Sequence, residues 1–270
     1  MQTVLTIAGF DPSGGAGVLA DCKTFAAFGC FGVAAITSLT SQNTLGVYAT
    51  FHQTAEVLRA QIVPLLEDFD IAAIKIGMLP KVELMEVVLE ALSRHTFQNV
   101  VVDPVLRSSS GASLMQIEAQ RFYIDHILLR ADLVTPNLPE VEALLGARPT
   151  TTVEMEGAAR DLSQQLSQIK TVAVLVKGGH LDQEATDVLF DGETMHNFSA
   201  TKLLSRHTHG TGCTLSSAIA ASLAGGDEMA QAVKRAKEYV TQAIQHAPGL
   251  GQGAGPMNHY YRYVAEPNIR

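Results

Sequence analysis

Short apolar segments that alternate with stretches of helical periodicity are the feature that most limits how this chain can fold. Among them are TVLTIAG, VAAITSL, AAIKIGM, NVVVDPV, ADLVTPN and TVAVLVKGG. Because these segments are apolar throughout rather than at every second residue, we expect strands that are covered on both faces. The alternation with helices therefore predicts an α/β architecture, in which a central, mostly parallel sheet lies between two layers of helices.

A different pattern marks the segment ATDVLFDGETMHNFSA, which reads as a hairpin with DGE as its turn. We expect this hairpin to extend the sheet as antiparallel edge strands. No low-complexity linker, block of charge or internal repeat divides the 270 residues. Residues 1–270 are therefore expected to form a single domain.

Charge and cysteine content argue against several classes of partner. The chain has 19 basic and 27 acidic residues, a formal net charge of −8, and no long basic run, so no nucleic-acid partner is expected. Its first residues, MQTVLTIAGF, lack the basic start of a signal peptide, and no apolar stretch reaches membrane-spanning length, so neither export nor membrane association is predicted. Three cysteines without C-x-x-C spacing indicate neither a disulfide framework nor a zinc site, and favour the cytoplasm.

The stretch GTGCT lies before a helix of small apolar residues and can be interpreted in two ways. Gly210 and Gly212 allow backbone N–H groups to approach an anion where the helix dipole is positive. Alternatively, Thr211 or Thr214 caps a core helix. The role of Cys213 also has two interpretations. A thiol in the first helical turn has its thiolate favoured, which suits a base or a nucleophile, whereas most lone cysteines are small buried hydrophobes. Standard P-loop and Rossmann signatures are absent.

Polar residues at predicted strand ends are further candidates, because ligands of open α/β sheets collect there. Asn137 and Glu140 can form a capping box, or can hold a water-coordinated Mg²⁺ near phosphate oxygens. Lys177 can meet a phosphate or extend its ammonium into solvent. Asp103 precedes a proline and can belong to the same site or form an Asx-turn.

Three residues in the first third of the chain are candidates for binding a ligand, and two of them, Gln42 and Met78, suit a flat ring. Asp11 lies in AGFDPSGGAG, a glycine-rich junction between the first strand and a helix predicted over about residues 16–28, and can be a turn residue or a ligand. Gln42 follows a buried strand, where its amide could pair with the ring nitrogen and amino group of a heterocycle, or be a loop polar group. Met78 is either a soft apolar wall for a ring or a core residue.

Together the motifs TIAGFDPSGGAG, SQNTLGV, KIGML, VVDPV, TPNLPE, LVKGGH and HTHGTGCT resemble those of the hydroxymethylpyrimidine/phosphomethylpyrimidine kinases of thiamine biosynthesis, in the ribokinase-like superfamily. The resemblance runs in order along nearly the whole chain. It implies a ribokinase-like three-layer α/β/α sandwich, ATP as phosphoryl donor, Mg²⁺, and a homodimer. The implied reaction phosphorylates 4-amino-5-hydroxymethyl-2-methylpyrimidine to its monophosphate and then to the diphosphate.

Residue by residue, the resemblance assigns a role to each candidate. It implies that Gly210, Thr211 and Gly212 form the anion hole and that Cys213 replaces the catalytic aspartate of many sugar kinases, able as thiolate to accept or orient the substrate proton. The remaining implied roles are metal binding, through water, for Asn137 and Glu140; ATP or phosphate binding for Lys177, Asp103 and Thr211; and pyrimidine binding for Gly9, Asp11, Gln42, Met78 and Val105.

One segment departs from the family pattern, and several functions stay open. After DPV the chain reads LRSSSG, which puts Ser109 where relatives commonly have a lysine and leaves Arg107 as a possible compensation. The departure puts in doubt the flap contacts and the efficiency of the second phosphorylation. The alternatives are a pyridoxal-type kinase, a thiol hydrolase with Cys213 as nucleophile and His209 as a candidate base, and a non-catalytic pyrimidine sensor.

Overall fold

The structure, a computed structural model, describes residues 1–106, 117–179 and 184–263, and nine strands in these ranges form one sheet. In space the strands lie in the order β3-β2-β1-β4-β5-β6-β7-β8-β9. The six central strands are parallel, whereas β3, β8 and β9 pair antiparallel with their neighbours. In chain order the strands are β1 (Thr3–Phe10), β2 (Phe31–Asn43), β3 (Gly46–His52), β4 (Ile71–Ile76), β5 (Val100–Val102), β6 (Leu133–Val134), β7 (Ala173–Gly178), β8 (Glu184–Phe190) and β9 (Met195–Thr201).

Helices cover both faces of this sheet. Helices α1, α7 and α8 pack on one face, and α2 to α6 pack on the other. Their bounds are α1 (Gly17–Ala27), α2 (Ala55–Asp68), α3 (Val82–Arg94), α4 (Ile117–Phe122), α5 (Leu138–Leu145), α6 (Thr152–Leu166), α7 (Thr211–Ala224) and α8 (Met229–Gln245). A π-turn over Tyr123–Ile127 and a 3₁₀ turn over Leu128–Arg130 follow α4.

The apolar strand sequences explain the three layers. Neighbouring residues of a strand point to opposite faces, so Val4 of β1 joins the core under α1, α7 and α8, while Leu5 joins the core under α2 and α3. Both side chains are fully buried. The predicted ribokinase-like α/β/α sandwich with a mostly parallel sheet is therefore confirmed, as are the predicted hairpin, which is β8–β9 at one edge, and the first helix.

The opposite edge of the sheet differs from the prediction. Gln42 and Asn43 do not follow a strand but lie within β2, which pairs antiparallel with β3. Residues 39–43 of β2 alternate between exposed and half-buried positions, as expected where a strand extends beyond the layer of helices that covers its first half. In the described ranges no helix is long and apolar enough to cross a membrane.

Candidate active site

The GTGCT stretch forms the start of α7, and its first glycine is required by geometry. Gly210 has φ +80°, in the left-handed region, and a Cβ there would collide with the carbonyl oxygen of Gly15. The helix has no side-chain cap at this end. Thr214 instead shares a hydrogen bond of 3.1 Å with the buried His259. The alternative that Thr211 or Thr214 caps the helix is therefore wrong.

Two N–H groups of the first turn of α7 are available to an anion. Thr211 donates both its N–H and its hydroxyl to the carbonyl oxygen of Thr208, at 3.2 and 2.6 Å. Gly212 and Cys213 donate to no acceptor in the described ranges, as the first N–H groups of a helix have no partner within it. Because the helix dipole is positive here, these two groups can bind an anion.

Beside this turn lies a buried ion pair at the carboxyl ends of β5 and β7. Lys177 Nζ is 2.7 Å from Asp103 Oδ1, which also accepts a bond of 3.1 Å from the Thr135 hydroxyl. A Cβ on Gly212 would lie 3.3 Å from Lys177 Nζ and 3.4 Å from Asp103 Oδ2. Burial alone would lower the pKa of Lys177, but the charges of Asp103 and Glu140 and the hydrogen bond to Asp103 together outweigh burial and raise that pKa. Lys177 thus neither extends into solvent nor stands apart from Asp103, and both lie beside the anion-binding turn.

Asn137 and Glu140 form the capping box at the start of α5. Asn137 Oδ1 accepts from the N–H of Glu140 at 2.9 Å, and Glu140 Oε2 accepts from the N–H of Asn137 at 2.7 Å. Glu140 Oε1 accepts no hydrogen bond within the described residues. Burial, reinforced by the charge of Asp103 and opposed by that of Lys177, raises the pKa of Glu140 to about 7.

Within the described residues Glu140 forms no salt bridge, and the nearby Lys177 is already paired with Asp103. Across the described part of the chain, no three His, Cys, Asp or Glu side chains are grouped so as to hold a metal directly. One free carboxylate oxygen of Glu140 and the nearby Asp103 suit an ion that keeps most of its water, which is the habit of Mg²⁺. The donor set therefore fits Mg²⁺ bound through water.

Cys213 is half-buried in the first turn of α7. Burial raises the pKa of this thiol, and the positive charge of Lys75 only partly offsets that effect. The expectation of a favoured thiolate is therefore wrong for the protein without ligands, because desolvation outweighs the helix start and the nearby lysine.

Sequence reasoning missed a second buried ion pair, near Cys213. Lys75 in β4 and Asp21 in α1 are both fully buried, with Nζ 2.9 and 3.0 Å from the two carboxylate oxygens. Asp21 also accepts from Thr6 at 2.6 Å and from Ser217 of α7 at 2.7 Å. A lysine inside the apolar segment AAIKIGM was the one available signal.

The predicted ring-binding residues come together from distant parts of the chain. His209 Nε2 lies 2.8 Å from Asp11 Oδ2 and 3.1 Å from Gln42 Nε2. A Cβ on Gly9 would lie 2.7 Å from Met78 Cε, so these two residues are in contact. Asp11 also accepts hydrogen bonds from the N–H groups of residues 13 and 16, so it is a turn residue as well.

The remaining candidates are Val105, Arg107 and Ser109. Val105 directly follows β5 and Pro104, and its N–H donates to the carbonyl oxygen of Asp103 at 2.8 Å. Arg107 and Ser109 lie outside the described residues. The ring of His209 is held by Asp11 and Gln42, and within the described ranges no hydrogen bond joins it to Cys213.

Comparison with known proteins adds three findings. Residues 11–258 match the family described as phosphomethylpyrimidine kinase. The hydroxymethylpyrimidine/phosphomethylpyrimidine kinase of Rhizobium meliloti is 44% identical over 262 residues, covering 96% of this chain and 97% of that protein. The thiamine biosynthesis bifunctional protein ThiED of Geobacter sulfurreducens is 40% identical over 95% of this chain and 52% of its own length.

Among solved structures, the pyridoxal kinase of Staphylococcus aureus in complex with AMP-PCP and pyridoxal is similar, with a TM-score of 0.86. It is 31% identical, and the match covers 97% of this chain and 96% of that chain. An ATP analogue and a flat heterocycle with a hydroxymethyl group are thus bound together on a closely similar fold.

Proposed function

This chain belongs to the phosphomethylpyrimidine kinase family and is a kinase, and we propose that it transfers phosphoryl groups from ATP to 4-amino-5-hydroxymethyl-2-methylpyrimidine and then to the resulting monophosphate. The product of the second step, the diphosphate, would serve thiamine diphosphate biosynthesis. Membership in this family displaces the thiol hydrolase and the non-catalytic sensor as interpretations.

The observation that carries this proposal is the position of Gly212. Its N–H group lies in the first turn of α7 and donates to no acceptor in the described ranges. Its Cα hydrogens face the Lys177–Asp103 pair, and any side chain at this position would fill the space between the helix and the pair. An anion held by the N–H groups of Gly212 and Cys213 therefore also meets the ammonium of Lys177. Phosphoryl transfer depends mainly on such positioning and charge stabilisation, with little covalent chemistry for the protein to perform.

Each side chain then has a limited task. Lys177 neutralises charge on the transferring phosphoryl group, and Asp103 holds the ammonium in place. Glu140 and Asp103 would hold Mg²⁺ through water, and the ion would neutralise phosphate oxygens and align them. Cys213, with its raised pKa, is a neutral thiol that orients the substrate hydroxyl, and the hydroxyl proton leaves to a phosphoryl oxygen or to water as the new O–P bond forms.

The acceptor ring lies on the other side of the turn in this proposal. Gly9 has no side chain beside Met78, which leaves a flat apolar wall, and Gln42 offers the amide that pairs with the ring. Asp11 and Val105 complete the surroundings. In this proposal the acceptor pocket lies between β1, β2 and β4, next to the start of α7.

A homodimer in the cytoplasm is part of the same proposal. Leu39 and Phe51 are cross-strand neighbours on the β2–β3 hairpin and are 41% and 61% exposed. Exposed apolar pairs at a sheet edge favour contact with another copy. Light scattering coupled to size exclusion would give twice the chain mass, and a Leu39→Lys, Phe51→Lys double variant would give a monomer.

A second substrate is supported by the S. aureus pyridoxal kinase, which shares the fold of this chain. Pyridoxal carries a hydroxymethyl group on a flat six-membered ring, so the same Gly9–Met78 surface could accept it. We propose pyridoxal as a weaker substrate, because its ring lacks the amino group beside a ring nitrogen that Gln42 would recognise.

Phosphorus NMR of the purified protein with Mg²⁺, ATP and hydroxymethylpyrimidine tests the proposal. Monophosphate followed by diphosphate is the expected result. Monophosphate alone would restrict the enzyme to one step, and absence of both products would contradict the proposed substrate. Replacing the pyrimidine with pyridoxal in a parallel sample measures the second activity.

A further inference from the structure

One ring nitrogen of His209, Nε2, lies within hydrogen-bond distance of two side chains. This atom is 2.8 Å from Asp11 Oδ2 and 3.1 Å from Gln42 Nε2. The ring is held in place, because only 10% of the His209 side chain is exposed and its backbone N–H donates to the carbonyl oxygen of Gly255. A Cβ on Gly15 would collide with the ring, so glycine at that position makes room for it.

The proton of His209 Nε2 has one consistent position. Burial alone would raise the pKa of Asp11, but hydrogen bonds from His209 and Ser13 outweigh burial and hold that pKa below its ordinary value. Asp11 is therefore ionised and can only accept. A carboxylate 2.8 Å from Nε2 requires a proton on Nε2, which His209 donates to Asp11.

This proton determines the orientation of the Gln42 amide. Two donors would meet if the amide nitrogen of Gln42 faced the protonated Nε2 of His209. Because the oxygen and nitrogen of an amide are assigned from their hydrogen bonds, the two atoms exchange places here, and Gln42 presents its oxygen to His209. The other end of the amide lies 3.2 Å from Thr40 Oγ1, and Thr40 donates its own proton to the carbonyl oxygen of Phe10 at 3.0 Å. Thr40 is thus able to accept from the amide nitrogen, and both ends of Gln42 are satisfied in one orientation.

We propose that the Asp11–His209 pair is a positioning relay that sets the specificity of this site by fixing the Gln42 amide. This inference rests on the proposed function, in which Gln42 meets the acceptor ring. A fixed amide presents one acceptor oxygen and one N–H donor in a single order, which matches an amino group beside a ring nitrogen. A ring without that amino group leaves the second acceptor position of the Gln42 oxygen unfilled, whereas a freely rotating amide could adapt to other rings.

Two acceptor substrates that differ only in this group test the relay. The measured quantity is the ratio of kcat/KM for 4-amino-5-hydroxymethyl-2-methylpyrimidine to kcat/KM for the analogue without the 4-amino group. We expect His209→Phe, which keeps a ring but removes the donor, to lower this ratio about tenfold, the value of one neutral hydrogen bond. His209→Gln, which retains an N–H donor, should restore part of the ratio and serves as a second variant if His209→Phe does not fold.

A double-mutant cycle distinguishes the relay from a general structural role. Gln42→Leu should lower the ratio by itself, and adding His209→Phe to it should lower the ratio no further. A purely structural effect of His209 would reduce kcat/KM for both substrates equally. An unchanged ratio in His209→Phe, or a further loss in the double variant, would overturn the relay.

Nitrogen-15 NMR of the wild-type protein gives a readout that needs no turnover. Long-range correlations of the His209 ring should show a proton on Nε2 in the ligand-free protein. An unprotonated Nε2 overturns the relay whatever the substrate is. Absence of turnover of both pyrimidines by the wild type would instead contradict the proposed function. In that case the NMR result for His209 would still test the orientation of the Gln42 amide, because it does not depend on turnover.

Discussion

Lys177 and Asp103 form an ion pair of 2.7 Å in which the side chains are only 13% and 4% exposed, and this pair lies beside the free N–H groups that start α7. A buried ammonium opposite an anion-binding turn is suited to phosphate. The pair also has a structural role, because removing one partner would leave the other charge buried and uncompensated. Activity and stability must therefore be measured together.

Lys177→Met is expected to lower kcat/KM by about 10²–10³-fold, because the variant loses a fixed charge on the transferring group. Steady-state kinetics with ATP and the pyrimidine, alongside thermal denaturation, checks this. The matched control is Lys170→Met, since Lys170 pairs with Asp132 at 2.6 Å but with side chains 34% and 29% exposed. The control should keep its activity, and equal losses in both variants would remove the assignment of Lys177 to the phosphate.

Glu140 should make Mg²⁺ binding depend on pH. Its pKa is raised to about 7, and the metal requires the ionised form, so apparent affinity for Mg²⁺ should rise about tenfold between about pH 6 and pH 8. The stability of the metal-free protein should change with pH in the opposite direction. The contribution of Glu140 to the free energy of unfolding is present below its unfolded pKa of 4.5 and is lost as the pH rises through about 7.

Titration of activity with Mg²⁺ at several pH values measures this effect. Glu140→Gln should weaken Mg²⁺ activation and abolish its pH dependence, while glutamine still fits the capping box. The exposed Glu154, whose pKa is lowered by hydrogen bonds from Thr150, gives the control variant Glu154→Gln, which should behave as wild type. A pH dependence that survives in Glu140→Gln would assign the titration to another group.

The sequence identified the separate parts of this site better than their contacts. Strand ends carrying Asp103 and Lys177 were predictable, because an apolar segment followed by a polar residue marks the carboxyl edge of a parallel sheet. The hydrogen bond of His209 to Asp11 joins residues 198 positions apart and depends on packing that no local pattern encodes.

Two other results show why electrostatics and sheet edges are harder to predict. The thiol of Cys213 has a raised pKa because burial outweighs the helix start, and the burial of one atom depends on tertiary packing that no local pattern encodes. Strand β2 runs on to Asn43 because it pairs with β3 beyond the helix layer. The sequence predicts that Gln42 and Asn43 follow the strand rather than belong to it, since the usual apolar signal of a buried strand ends earlier.

All three cysteines should react slowly with iodoacetamide at neutral pH. Burial raises the pKa of Cys213 and Cys30, and raises the pKa of Cys22 to about 11. Mass spectrometry of the native protein against pH should show alkylation of Cys213 that is slower than that of a free thiol and increases in alkaline buffer. Rapid labelling of Cys213 at neutral pH would mean that its thiolate is favoured after all.

Cys213→Ser should retain part of the transfer activity if the thiol acts mainly by orienting the substrate hydroxyl. We expect a decrease in kcat of less than about 10²-fold, which is the smallest loss typical of removing a general base. Cys22→Ser is the control, because Cys22 lies in α1 and is not part of the anion-binding turn. A Cys213→Ser variant as active as Cys22→Ser would show that the thiol has no role in transfer.

Breaking the ion pair of Lys75 and Asp21 should lower the free energy of unfolding strongly, and a double variant that removes both charges is the control. Lys75→Met leaves the fully buried Asp21 without its cation, and we expect a loss of about 3–5 kcal/mol in the free energy of unfolding. In Lys75→Met, Asp21→Asn no charge remains, while the asparagine oxygen can accept from one of the two hydroxyls, of Thr6 and Ser217, and its NH2 group can donate to the other. Urea denaturation of both variants should therefore show that the second substitution restores most of the stability. If the double variant is less stable than Lys75→Met alone, the carboxylate of Asp21 stabilises the fold through its hydroxyl partners rather than through Lys75.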